Sequence, residues 1–436
     1  MTTQNDSPRS TPRTQSQRLS ASNASSASSA FSAVDVLEPD TPEQLAAALE
    51  RASEAHQSIV IRGAGTKLNW GRPAQRIDAW LSTRRLSRVL AHQHGDLTAT
   101  IEAGATLSEL NDALARHGQC LPLDPPFADR ATIGGILATN DSGPLRHRFG
   151  TPRDLVIGVQ LATTDGRLAK AGGQVVKNVA GYDLSKLICG SFGSLAAIVS
   201  ATFKLTPLPA ASRTITIEAP EAEALGRMVR EVMSSQLEPI AFDVSVVGRP
   251  FERRRAARDL SAVASAQAER PGLQLVLRFA SLPVVVDAQI AQTQALPAVK
   301  EGTSATIDGE RERDLWDSNT RSFWDAPGAI VRASWLPANL PAALKECATS
   351  ITELAGRAAV GVGLIRIDGD TRAQAAAIAR LQQSKSFHNV VVLRGSDELK
   401  SMVDVWGIAP HRARLFASLK QTLDPNNTLN AGRGPL

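Results

Sequence analysis

The residues best placed to do chemistry are glycines. Gly134, Gly135, Gly143, Gly172, Gly173, Gly181, Gly190 and Gly193 fall within sixty residues of one another, in the blocks ATIGGILATNDSGPLR and GGQVVKNVAGYDLSKLICGSFG. Without a Cβ such positions adopt positive φ and turn main-chain N–H groups toward an anion. Upstream, the apolar run SIVI leads into RGAGTK, where Gly63 and Gly65 sit beside Arg62 and Lys67. Backbone donors next to a cation suit two phosphates held together, so a phosphate-bearing cofactor is expected. Two other phosphate loops are excluded by spacing: Leu68 stands where a G-x-G-x-x-G fingerprint needs its third glycine, and Gly65-Thr66-Lys67 is not G-K-[ST].

Other chemistries find little support. The seven histidines are His56, His92, His94, His117, His147, His388 and His411. Only His92 and His94 are close, sharing a face if on a strand, and with no third ligand in view no metal is expected. There is no G-x-S-x-G elbow and no CxxC. Cys120, Cys189 and Cys347 are dispersed and odd in number, which fits a reducing compartment and a chain without its own iron–sulfur cluster. Arg146, His147 and Arg148 are candidates for anchoring a carboxylate. No catalytic residue is assigned.

The elements that must carry these residues alternate between helix and strand. Val34 to Pro39 reads as a short strand, and Thr41 caps a helix whose first residue is Pro42, with Leu45, Leu49 and Ala52 on one face. A strand over Leu97–Glu102 precedes a helix bearing Leu107, Leu110 and Leu114, closed by Gly118. The strand Leu155–Ala162 turns at Thr164-Asp165-Gly166 toward Arg167–Ala171, a hairpin. Asp183 is expected to cap a helix over Leu184–Ile188, and Tyr182, the sole tyrosine, to be half-buried. Beyond residue 213, strands such as GLQLVLRFA and AVGVGLIRID alternate with amphipathic helices. Trp316, Phe323, Trp324 and Trp335 are read as core or interface aromatics and as the best candidate for a partner surface.

Composition bounds the class. The chain has 436 residues, 43% of them apolar and 21% charged, enough for two or three domains with real cores. Its net charge of +5 is dispersed, and the one dense run, Arg253, Arg254, Arg255 and Arg258, reads as a solvated helix face. With no platform of interleaved aromatic and basic residues, nucleic acid is not an expected partner. No run of 18 uncharged apolar residues exists, so no transmembrane segment is expected. Residues 1–33, rich in Ser and Thr, read as a disordered tail.

Six ordered blocks resemble one family. RGAGTK, TIEAGATLSEL, LPLDPP, ATIGGILATNDSG, GTPRDLVIGVQLATTDG and GGQVVKNVAGYDLSKLICGSFG are similar to the FAD-binding domain of the vanillyl-alcohol-oxidase type, the PCMH-type domain of FAD-linked oxidases. Within it, KNVAGYDLSKL and LKQTLDPNNTLNAGR look like the FAD-binding subunits of bacterial glycolate oxidases. The resemblance implies an α+β fold: a two-part FAD-binding domain over 34–212, an α+β cap over 213–405, and a segment 406–436 returning to the first domain. It implies Arg62, Gly63, Ala64, Gly65, Thr66 and Lys67 as the pyrophosphate loop. Pro126, Thr132, Gly134, Gly135, Asn140, Ser142 and Gly143 would line flavin and phosphates, with Ile198 and Val199 flanking the adenine or ring side. Covalent relatives place a histidine in the first glycine loop, where this chain has Thr66 and Lys67, so non-covalent FAD is implied. The activity implied is oxidation of a small 2-hydroxy acid, glycolate to glyoxylate, with a sister flavoprotein and an iron–sulfur subunit as partners. A cytoplasmic location, peripheral to the inner membrane through that complex, follows. A stand-alone D-lactate-like dehydrogenase and a non-catalytic structural subunit are the alternatives.

Overall fold

Strand Ala79–Ser82 pairs in parallel with Asp35–Leu37 on one side and Ile59–Arg62 on the other. The connection between the outer two strands is the helix Pro42–Glu54, which starts where the sequence predicts: Thr41 Oγ1 accepts from Gln44 N at 3.2 Å, with Pro42 next in the chain. Its Leu45, Leu49 and Ala52 are buried against Ile59 and Leu81. The structure is a computed structural model, and it describes residues 34–173, 182–247, 272–347 and 352–435. The predicted tail 1–33 and the basic run at Arg253–Arg258 lie outside the described residues.

A second, antiparallel sheet runs Val89–Gln93, Thr98–Glu102, Ala197–Lys204, Val156–Ala162, Leu168–Gly172. The last two strands form the expected hairpin, Ala162 opposite Leu168. Leu155, expected to open the strand, instead ends one helical turn over Pro152–Leu155, where Asp154 accepts from both Thr151 N and Thr151 Oγ1 in a capping box. Helix Leu107–Ala115 has the same device in Thr106 and Glu109, and it buries Leu107, Leu110 and Leu114.

Eight described strands build an antiparallel sheet in the order Thr303–Asp308, Ala211–Ala219, Gly272–Ser281, Ala241–Val247, Thr352–Arg357, Val362–Ile367, Ala329–Ser334, Asn389–Arg394. Its strands alternate with period two. Val244, Val246, Leu275, Leu277 and Leu354 enter a core shared with helices Ala222–Ser234, Pro283–Ala295, Leu340–Cys347 and Thr371–Gln383. Asp243, Ser245, Gln274, Glu353 and Arg357 belong to the other face, which is therefore polar.

Beyond helix Pro410–Leu423 the chain returns to the parallel sheet, where Ile59 N donates to Thr428 O at 2.7 Å and Asn430 N to Ile59 O at 2.8 Å. Asp424, almost wholly buried, fixes that return by accepting from Thr428 N and Leu429 N at 2.9 and 2.7 Å. Among the described residues no helix is long and apolar enough to cross a membrane.

Candidate active site

The loop Arg62–Leu68 leaves the C-terminal end of strand Ile59–Arg62 and lines a cleft with Thr132, Gly135, Phe192, Asn430 and Arg433. Two glycines make the loop possible. A methyl group on Gly63 would overlap the side chain of Thr132, and Gly65 has φ +79°, a conformation that costs a residue with a Cβ. The N–H groups of Gly63, Ala64, Gly65, Thr66 and Lys67 donate to no backbone carbonyl among the described residues. Five donors in sequence without a main-chain acceptor form a concavity suited to an anion.

The charge around this loop is positive and dry. Lys67 Nζ stands 3.3 Å from Asp141 Oδ2, both side chains at or below 10% exposure, yet neither atom completes a hydrogen bond among the described residues. Burial raises the Asp141 pKa against the opposing pull of Lys67. Arg433 donates to Leu68 O, has no acidic partner among the described residues, and is pushed down to about 10 by burial. A buried ammonium with donors to spare and an unpaired guanidinium fit the diphosphate of a dinucleotide cofactor.

The residues implied by the resemblance fall in three places. Arg62, Gly63, Ala64, Gly65, Thr66, Lys67, Thr132, Gly134, Gly135 and Ile198 line this cleft and its continuation past Thr83, Ala103 and Gly193. Pro126, Ser142 and Gly143 line a second cleft. Asn140 and Val199 line neither: Asn140 ends a helix with φ +46° and accepts from Arg153 N at 3.2 Å, while Val199 packs with Leu81 and Leu429. Gly134 and Gly135 are helical, inside Ile133–Thr139, instead of turning with positive φ. There the missing Cβ serves close packing, of Gly134 on Ala103. Positive φ occurs at Gly172, Gly190 and Gly193, and Gly181 lies outside the described residues.

The second cleft lies between Pro126, Ser142 and Gly143 on one side and the polar face of the large sheet on the other. Asp243 and Arg357 are direct cross-strand neighbours, and Arg357 Nη1 donates to Asp243 Oδ2 at 3.0 Å. Asp243 Oδ1 and Arg357 Nε have no partner among the described residues. Burial, outweighing Arg357, raises the Asp243 carboxyl to about 7, and the nearby Asp124 carboxylate adds to the rise. Burial lifts Asp124 itself to about 6, although it accepts from Leu145 N at 2.9 Å. Such a pair offers a base poised near neutrality beside a cation.

Two expectations are corrected here. Phe323, Trp324 and Trp335 are buried, so they do not form a partner surface. Trp316, Asn319, Thr320 and Phe323, spaced i, i+3, i+4, i+7 on helix Gly309–Asp325, line the second cleft together, and that spacing was the signal for it. Trp324 stacks on Trp70 of the loop region, with centroids 5.0 Å apart and planes at 13°. Tyr182 is 90% exposed instead of half-buried, while Asp183 caps Leu184–Ile188 as expected by accepting from Lys186 N. Of the trio at 146–148, Arg148 pairs with Glu238 at the surface and His147 packs edge-on against Phe242. Arg146 is held down to about 10 chiefly by burial and then by Arg357 and Arg332.

A glycine-cradled, cation-rich loop cleft, joined to a cap sheet with a carboxylate–guanidinium pair, defines a cofactor-binding α+β protein of the flavin-dependent type. Residues 35–172 match the family described as FAD binding domain. It is 35% identical over 208 residues to a D-lactate dehydrogenase of Archaeoglobus fulgidus, covering 48% of this chain and 46% of that one. It is 34% identical over 204 residues to the glycolate oxidase subunit GlcE of Escherichia coli, covering 47% and 57%. The chain thus spans about half the length of these curated relatives. Its fold is similar to that of p-cresol methylhydroxylase with substrate bound, with a TM-score of 0.68 at 14% identity over 92% of this chain and 88% of the other.

Proposed function

We propose that this chain is an FAD-dependent dehydrogenase of small 2-hydroxy acids, working as the FAD-binding subunit of a glycolate oxidase-type complex. The loop Arg62–Lys67, with Thr132, Gly134, Gly135 and Arg433, holds FAD without a covalent bond, since no histidine stands in the loop. Residues 34–212 form the FAD-binding part, 213–405 the cap, and 406–436 the segment that returns. When bound, FAD supplies the acceptor for the hydride leaving C2 of the substrate.

The observation that carries this reading is the Asp243–Arg357 pair facing Pro126, Ser142 and Gly143. Arg357 presents its unpartnered Nε to the substrate carboxylate, and Asp243 takes the hydroxyl proton on its unpartnered Oδ1. Trp316 and Phe323 close the cleft against water. In this reading electrons leave through an iron–sulfur partner and a sister flavoprotein completes the complex; the likeness to a protein named as one subunit of a glycolate oxidase supports an assembly of several chains. A second reading, a stand-alone dehydrogenase of D-lactate type, is favoured by the same pair, because it equips this chain with its own hydroxy-acid site.

The test is the visible spectrum of the purified chain before and after anaerobic glycolate or D-lactate, followed by acid precipitation. FAD released by acid supports non-covalent binding. Bleaching by substrate on the chain alone places the hydroxy-acid site on this chain; sustained turnover of the chain alone with an artificial electron acceptor then supports the second reading, and turnover only with partner subunits supports the first. A chain without flavin, both alone and in its complex, overturns both.

A further inference from the structure

The two sequence-adjacent histidines acquire a third companion. His92 lies on the edge strand Val89–Gln93, His94 opens the turn that follows, and His117 arrives from the turn between helix Leu107–Ala115 and strand Gln119–Cys120. The His94 and His117 rings stack with centroids 4.2 Å apart, and His92 stands edge-on to both, at 4.8 and 5.0 Å. One ring nitrogen from each lies within 4.8 Å of the others. The sequence showed only His92 and His94 together; the fold adds His117 as a candidate third ligand.

Gln119, only 8% exposed, organises the group. Its Nε2 donates to His94 O at 2.9 Å, so its Oε1 must be the atom 2.9 Å from His92 Nε2. An amide oxygen only accepts, which makes His92 Nε2 the protonated nitrogen and leaves Nδ1 with a free lone pair. A buried carbonyl oxygen fixing the tautomer of an imidazole is the arrangement that supports histidine ligands in metal sites. His94 and His117 are exposed, so their rings can rotate and an ion can enter.

We propose that His92, His94 and His117 form a surface site for one divalent transition-metal ion, with Zn2+ the best match. Three neutral imidazoles suit a borderline cation, and Zn–N bonds of about 2.0–2.1 Å in tetrahedral geometry set ligand nitrogens about 3.3 Å apart. The 4.8 Å limit closes to that by rotation of the two exposed side chains. The fourth position faces solvent and takes water. None of the three histidines lines the loop cleft or the cap cleft, so this site is separate from the proposed flavin chemistry.

Titration calorimetry of the full, tag-free, chelator-treated chain with Zn2+ tests the site, with Co2+ as a visible-absorption probe. One ion per chain is expected, with a Co2+ spectrum of low coordination number. Affinity falls at least ~10-fold in His94→Ala and in His117→Ala, and flavin content stays unchanged in both. Wild-type chain that binds Zn2+ no more tightly than the His94→Ala/His117→Ala double variant overturns the proposal, as does full affinity in either single variant.

Discussion

Asp243 and Arg357 sit opposite each other on neighbouring antiparallel strands, joined by a 3.0 Å hydrogen bond that leaves one atom of each without a partner. The carboxyl titrates near 7 because burial disfavours its charge more than Arg357 restores it. A base acts only when deprotonated, so kcat/KM for a 2-hydroxy acid rises with pH through about 7. Asp243→Asn lowers kcat by roughly 10²–10⁴-fold, abolishes that limb of the profile and leaves FAD content unchanged. A variant that keeps the limb would assign it to another group.

Asp124 links the same cleft to folding. Its carboxyl is raised to about 6 in the folded chain, above an unfolded value near 3.8. The folded state then holds the proton more tightly, so this stabilisation is complete below the unfolded value and is lost as pH rises through about 6. Two pKa units correspond to about 3 kcal/mol at most. Asp124→Asn keeps an oxygen for Leu145 N and cannot ionise. Its melting temperature should exceed that of wild type at pH 8, and the difference should vanish near pH 4. Parallel pH profiles of the two chains would remove Asp124 from the account.

What could be read from the sequence depended on whether the information was local. The loop at Arg62–Lys67, the cap at Thr41 and the hairpin at Thr164–Gly166 are written in consecutive residues, because turn and cap chemistry is decided within one turn of chain. Asp243 and Arg357 are 114 positions apart and meet only through strand pairing, so neither carries a local mark. His117 escaped for the same reason, separated from His92 and His94 by a strand and a helix. Tyr182 was misjudged because one aromatic without periodic neighbours does not fix which way it faces. Gly134 and Gly135, expected at positive φ, are helical because IGGILAT has helical apolar spacing, Ile133, Ile136 and Leu137 being buried.

Close approach at Gly63 makes a sharp prediction. A Cβ there overlaps the Thr132 side chain, which must move or displace the loop. Gly63→Ala should cost about 1–3 kcal/mol in stability and sharply reduce the FAD retained after gel filtration. Gly95→Ala, where a Cβ meets nothing within 4 Å, serves as the control and should retain flavin. Equal flavin in both variants would show that the Gly63–Thr132 contact does not shape the cofactor loop.

Lys67 and Asp141 separate a structural from a cofactor role. Lys67→Met strands the Asp141 carboxylate in a dry site, a change that costs about 3–5 kcal/mol for a buried pair. Arg332, which also stabilises the Asp141 charge, brings the expected loss toward the lower end. Removing the other charge as well, in Lys67→Met/Asp141→Leu, takes away the stranded carboxylate, so thermal stability should return close to that of wild type. Flavin binding should not return with it, because the ammonium available to a phosphate is absent from both variants. Equilibrium denaturation and FAD titration of the two variants read these effects independently. If the double variant regains both stability and flavin affinity, Lys67 serves only to neutralise Asp141, and the cation for the diphosphate must be Arg433 or Arg62.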